Sequence, residues 1–162
     1  MGGFCNSANL IQISLDINNY NFDKTLETAI TRTFIHELHH ASRIRSGIEI
    51  SKGTFLEQLL SEGLADNFVL EITGNLPIWT KSLSKKENKK LMTNVKAKLN
   101  KKLSDNDYEE WFIFGSKEKN IPKWAGYSLG YYLVQKLVEN SKMQSSEMVR
   151  VPGQILYKEL DI

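Results

Sequence analysis

The sequence predicts a mainly α fold of the α+β class, in which several amphipathic helices accompany one strand. Three observations carry this reading. Only residues 10–17 alternate with a period of two; Ile11, Ile13, Leu15 and Ile17 are apolar and Gln12, Ser14 and Asp16 polar. Most other apolar residues recur at helical spacing, three or four apart. Capping residues, glycines and prolines bracket those helical stretches. A chain of 162 residues is about one domain's worth, and 41% hydrophobic with 25% charged residues excludes a disordered or fibrous class.

Taken in chain order, the strand over 10–17 is followed by a turn at Asn18-Asn19-Tyr20-Asn21. Asp23 is placed to cap a first helix carrying Leu26, Ala29, Ile30, Phe34, Leu38, Ala41 and Ile44 and ending near Gly47. Thr54-x-x-Glu57 reads as a capping box, with Glu57 as the cap partner of Thr54, opening a second helix that closes at Gly74. Ser84-x-x-Glu87 opens a third, whose apolar stripe is Leu91, Val95, Leu99 and Leu103. Residues 107–114 read as a short aromatic helix or turn packing inward. Pro122 leads into a long helix over about 125–140, and a last helix starts near Pro152. A lone strand is anomalous, because its backbone hydrogen bonds have no partner.

Charge is unevenly spread. Residues 81–102 hold nine lysines and one acid, Glu87, while the whole chain carries only +2. Nothing aromatic or arginine-rich is interleaved with those lysines, so a solvated helix face is the better reading than a nucleic-acid surface. A single cysteine, Cys5, excludes an internal disulfide and a cysteine-rich zinc site. No secretory leader and no run long enough to cross a bilayer is visible, which makes a reducing, cytoplasmic location the expectation.

The chemistry is concentrated in two helices. His36-Glu37-Leu38-His39-His40 is H-E-x-x-H inside the first. Histidines four apart project from one helix face and can converge on one ion, while Glu37 points beside the ion and can take a proton from water held there. In the second helix, Glu62 and Asp66 stand one turn apart, 22 residues after His40. Glu62 can supply the third zinc ligand, and Asp66 can accept the other ring N–H of a ligand histidine. Gly63 and Ala65 are small enough to let this helix approach the first. Both motifs at this spacing arise by chance in on the order of one chain in several thousand. His39 points off the ligand face, beside the site or exposed. Trp79, Trp111 and Trp124 read as core or pocket wall.

H-E-x-x-H followed about twenty residues later by E-x-x-x-D resembles the gluzincin metallopeptidases, the thermolysin-like enzymes. More narrowly, His-Glu-Leu-His-His, then Glu-Gly-Leu-Ala, then residues 122–131 resemble the YjaZ-like predicted zinc-dependent proteases, over residues 2–162. The resemblance implies that His36, His40 and Glu62 bind zinc, that Glu37 is the base, and that Asp66 orients a ligand. Tyr127-x-x-Gly130 is similar to a gluzincin element whose phenol donates to the oxyanion; Tyr131 and Tyr132 are rival candidates. It further implies that strand 10–17 is the edge strand of an incomplete gluzincin sheet and holds extended substrate by main-chain pairing. Members of the family carry a further N-terminal segment, so the chain reads as a single metallopeptidase domain, shortened at its N-terminus. Within it, residues 1–78 hold the strand and metal-binding helices and 79–162 form a helical subdomain.

The expected function is therefore a zinc-dependent metalloendopeptidase acting on peptide or protein substrates. The alternative is a non-catalytic, zinc-containing binding module that uses the lysine-rich helix 81–102.

Overall fold

A computed structural model describes residues 2–50 and 53–160. Strand β1 (Gly2–Ser7) pairs antiparallel with β2 (Leu10–Ser14), Gly3 opposite Ile13 and Phe4 opposite Gln12, with an irregular step between Phe4 and Ser7. The strand read from the sequence thus has a partner, and it is shorter than 10–17. Leu15 and Ile17 continue its alternation but fall beyond the ladder and are exposed, Ile17 at 73%. The partner escaped notice because Gly2-Gly3-Phe4-Cys5-Asn6-Ser7 has no apolar alternation. Its place is secured by pairing with β2 and packing on the first helix.

Helix α1 (Phe22–Arg45) begins after Asn21, which makes no side-chain cap; Asp23 lies inside its first turn. Its buried residues are mostly polar, namely His36, Glu37, His39, His40 and Arg43 alongside Ala41, whereas Phe34 and Leu38 are exposed. The usual inside–outside rule is inverted on this helix. Buried polar groups demand partners, and α2 (Phe55–Thr73) supplies them to His36 and, in part, to Arg43. The Thr54 hydroxyl accepts from the Glu57 N–H at 3.2 Å, and Gly74 ends the helix in a left-handed conformation, φ 69°. The reciprocal half of that capping box is absent: the Glu57 carboxylate turns to Arg43, Ser61 and the Gly153 N–H.

A 3₁₀ turn (Ile78–Lys81) leads to α3 (Lys85–Val95), which has a complete capping box between Ser84 and Glu87. Leu91, Val95 and Leu99 are buried and Leu103 packs at the margin. After α4 (Asp105–Tyr108) the chain continues as a π-helix (Glu109–Phe114) that buries Trp111 and Phe112 while Phe114 stays exposed. Helix α5 (Ala125–Ser141) is the main partner of α2, and α6 (Gly153–Lys158) closes the described chain. Among the described residues no helix is long and apolar enough to cross a membrane.

Gly63 of α2 serves a different contact from the one read in the sequence. A Cβ on Gly63 would lie 2.2 Å from the Gly130 carbonyl oxygen of α5, and a Cβ on Gly130 would lie 2.2 Å from the Leu59 carbonyl oxygen. Backbone faces backbone, so neither side can give way cheaply. Gly63→Ala is expected to lower stability by about 1–3 kcal/mol, the range for overpacking a close contact. Urea unfolding measures it, and an unchanged midpoint would contradict this crossing.

Candidate metal centre

The i, i+4 spacing on α1 stacks His36 and His40 on one face, and α2 lays Glu62 against them. All three are buried. His36 Nε2 lies 3.0 Å from His40 Nε2 and 3.1 Å from Glu62 Oε2, and His40 Nε2 lies 3.5 Å from the same oxygen. An ion about 2.0–2.1 Å from each of three tetrahedral ligands would hold them about 3.3 Å apart. The triangle matches that edge length. Two imidazole nitrogens and one carboxylate oxygen are a donor set suited to zinc.

Groups behind the triangle set the direction of its lone pairs. His36 Nδ1 donates to Asp66 Oδ1 at 2.9 Å, which orients the ring with Nε2 facing the cluster. Trp79 Nε1 donates to Asp66 Oδ2 at 3.0 Å, and Gln58 Nε2 donates to Glu62 Oε1 at 2.7 Å. Neither Trp79 nor Gln58 was assigned to the site from sequence. Gln58 stands one turn before Glu62, so helical spacing offers a signal for it; Trp79 sits beyond the helix and offers none. His40 Nδ1 has no partner among the described residues.

Burial opposes ionisation of Glu62, but His40 and His36 outweigh it and hold the carboxyl well below its usual range. Burial likewise works against a charged His36, while its bonds to Asp66 and Glu62 hold it well above its ordinary value. Burial raises Glu37, partly offset by the His40 and His36 imidazoles. His39 is not exposed. It packs against Phe68 with its Nε2 3.4 Å from the Ser145 carbonyl, and burial keeps it neutral.

Two cavities, of about 610 and 260 Å³, meet at this cluster. Gly3, His36, Glu37 and Tyr127 line both. Strand β1 contributes residues 2–5 to the walls, whereas no residue of β2 lines either cavity. The cleft therefore runs beside β1, and of the residues 10–17 that the sequence assigned to it only Asp16 reaches its wall. Gly3 sits close against α1 there: a Cβ would lie 2.5 Å from Glu37 Oε1 and 2.6 Å from Thr33 Cγ2, so those side chains would have to shift. Tyr131 and Tyr132 line neither cavity. Tyr108, given no role from the sequence, lines the smaller cavity together with Tyr127; burial pushes both phenols up, so each keeps its proton. The lysines of residues 81–102 line neither cavity.

Comparison with known proteins agrees with this geometry. A family model described as "Predicted Zn-dependent protease (DUF2268)" matches residues 2–158. The chain is similar to the uncharacterized protein YjfC of Bacillus subtilis (strain 168), 25% identical over 168 residues that cover 95% of this chain and 53% of that protein. It is also similar to the uncharacterized protein YjaZ of the same organism, 26% identical over 129 residues that cover 78% of this chain and 49% of that one. The chain thus spans about half the length of these curated relatives. No solved structure matches.

Proposed function

The chain belongs to the predicted Zn-dependent protease family, and from that membership we propose that it is a zinc-dependent metallopeptidase of the gluzincin type. The convergence of three buried donor atoms, His36 Nε2, His40 Nε2 and Glu62 Oε2, is the observation that carries the proposal. In this reading residues 1–162 act as one peptidase domain.

His36, His40 and Glu62 would hold the zinc, whose chemistry there is to polarise a scissile carbonyl and acidify water. Glu37 stands between the ligand histidines in sequence and opens onto both cavities. Its carboxylate is the base: it takes a proton from the water attacking the peptide carbonyl carbon and passes it to the departing nitrogen. Asp66 holds the His36 ring in one orientation through the Nδ1 bond, and Trp79 holds Asp66 in turn. Tyr127, whose phenol stays protonated on the shared wall, donates a hydrogen bond to the carbonyl oxygen as it gains negative charge. An extended substrate lies along the unpaired edge of β1, where backbone groups can add it as a further strand.

Metal content and metal dependence test this reading. Purified protein is expected to carry about one zinc per chain by elemental analysis and to cleave an unfolded protein substrate. A chelator should abolish cleavage and added zinc restore it. Glu62→Ala removes one of three protein ligands and should reduce bound zinc to a small fraction. Full zinc occupancy in Glu62→Ala would refute the ligand set, and chelator-resistant cleavage would refute the mechanism.

A further inference from the structure

The larger cavity carries a cation that has no counter-charge among the described residues. Arg32 stands on α1 one turn before His36, half-buried, and lines the cavity. The other arginines of this helix are occupied: Arg43 meets Glu57, Ser61 and three carbonyls, and Arg45 meets Ala8 and Asn9. Arg32 makes no hydrogen bond and no ion pair among the described residues. The wall has two carboxyls, Asp16 and Glu37, and neither pairs with it. Asp16 accepts from the Asn18 N–H, and Glu37 faces Gly3.

The wall is mixed: Leu26, Trp79, Phe112, Ile113 and Trp124 give it apolar surface beside the polar Asn19, Asn21, Thr25 and Thr33. A guanidinium there is flanked by low-dielectric surface, so an anion that reaches it interacts more strongly than at an open surface. Its planar fork matches a carboxylate by two parallel hydrogen bonds. Four residues of α-helix place its Cα about 6 Å along the axis from that of His36. Helical side chains lean toward the N-terminus, which carries the guanidinium further from the metal cluster. An extended peptide advances about 3.3 Å per residue, so a carboxylate two or three residues from the bond at Glu37 falls within its reach.

We propose that Arg32 reads a carboxylate of the substrate, which makes the preferred substrate a peptide with an apolar residue and a negative charge close to the scissile bond. The inference rests on the peptidase reading for what happens to the peptide, but not for its binding. The charge can come from the chain's C-terminus or from an acidic side chain, and two pairs of probes separate these sources.

The binding of acetyl-alanyl-phenylalanyl-leucine as the free acid and as its C-terminal amide is measured by calorimetry on the Glu37→Gln protein. A second pair, both amides, ends in glutamic acid and in glutamine. The acid of at least one pair is expected to bind at least tenfold more tightly than its neutral counterpart. Arg32→Met in the same background should erase that preference, and Arg32→Lys should restore part of it, with thermal melts showing the variants folded. Preference in the first pair assigns the C-terminus, and in the second the side chain. Equal binding within both pairs, no binding of any probe, or a preference that survives Arg32→Met overturns the proposal. Loss of the peptidase reading looks different: a zinc-loaded parent that never cleaves peptides but still prefers the acid.

Discussion

A Glu37→Gln variant is expected to keep about one zinc per chain and to lose peptide hydrolysis by about 10²–10⁴-fold, the usual contribution of a positioned general base. Glutamine keeps the shape of the side chain and cannot accept the proton. The residue is 6% exposed, and its carboxyl is already pushed up by burial, so replacing it with a neutral isostere should cost the fold little. None of the donor atoms of the triangle belongs to it, so the metal ligands are untouched. The measurement pairs elemental analysis with initial rates on one peptide substrate. Turnover within threefold of the parent, with zinc confirmed, would remove Glu37 from the mechanism. A joint loss of zinc and activity would instead make Glu37 part of the metal-holding structure.

What could be read beforehand was whatever helical spacing alone determines. Histidines at i and i+4 share a face in any α-helix, and so do Glu62 and Asp66, so both halves of the cluster were visible as motifs. Their meeting depends on how α1 and α2 pack, which the family pattern suggested and the geometry shows. Long-range contacts without periodicity were invisible. Strand β1 has no apolar alternation, yet it supplies Gly3 beside Glu37 and part of the cleft wall. The substrate edge was therefore assigned to residues 10–17, of which only Asp16, past the end of β2, lines a cavity. Tyr108 was missed for a related reason. It closes a four-residue helix whose continuation is a π-helix, a form without a simple sequence signature and frequent near functional sites. Gly63 was noticed but given the wrong neighbour, since a small residue advertises a close approach without naming the helix that approaches.

Arg43 shows the same limit in energetic terms, and Arg43→Met is expected to have the largest effect on stability of any variant considered. In the sequence it is one more basic residue near the end of a helix. In the fold its guanidinium is 0% exposed and joins three parts of the chain. Nε donates to Ser61 Oγ at 3.1 Å, Nη2 donates to Glu57, and Nη1 faces the carbonyls of Met148, Val149 and Val151 at 3.4, 3.3 and 3.1 Å. Glu57 in turn accepts the Gly153 N–H at 2.7 Å, where the last helix begins. Removing the cation leaves a largely buried carboxylate without its counter-charge, which typically costs about 3–5 kcal/mol. Removing both charges costs less, because no ion is then stranded. Arg43→Met with Glu57→Leu should therefore be more stable than the sum of the single changes by about 1–3 kcal/mol, a coupling that urea denaturation of all four proteins measures. Additive losses would mean that the guanidinium acts through its carbonyl contacts and not through Glu57. Arg43 lies three residues after His40, and Glu57 lies on the helix of Glu62, so the pair also fixes the spacing of α1 against α2. The single variant is accordingly expected to bind zinc more weakly, and the double variant to recover part of that affinity.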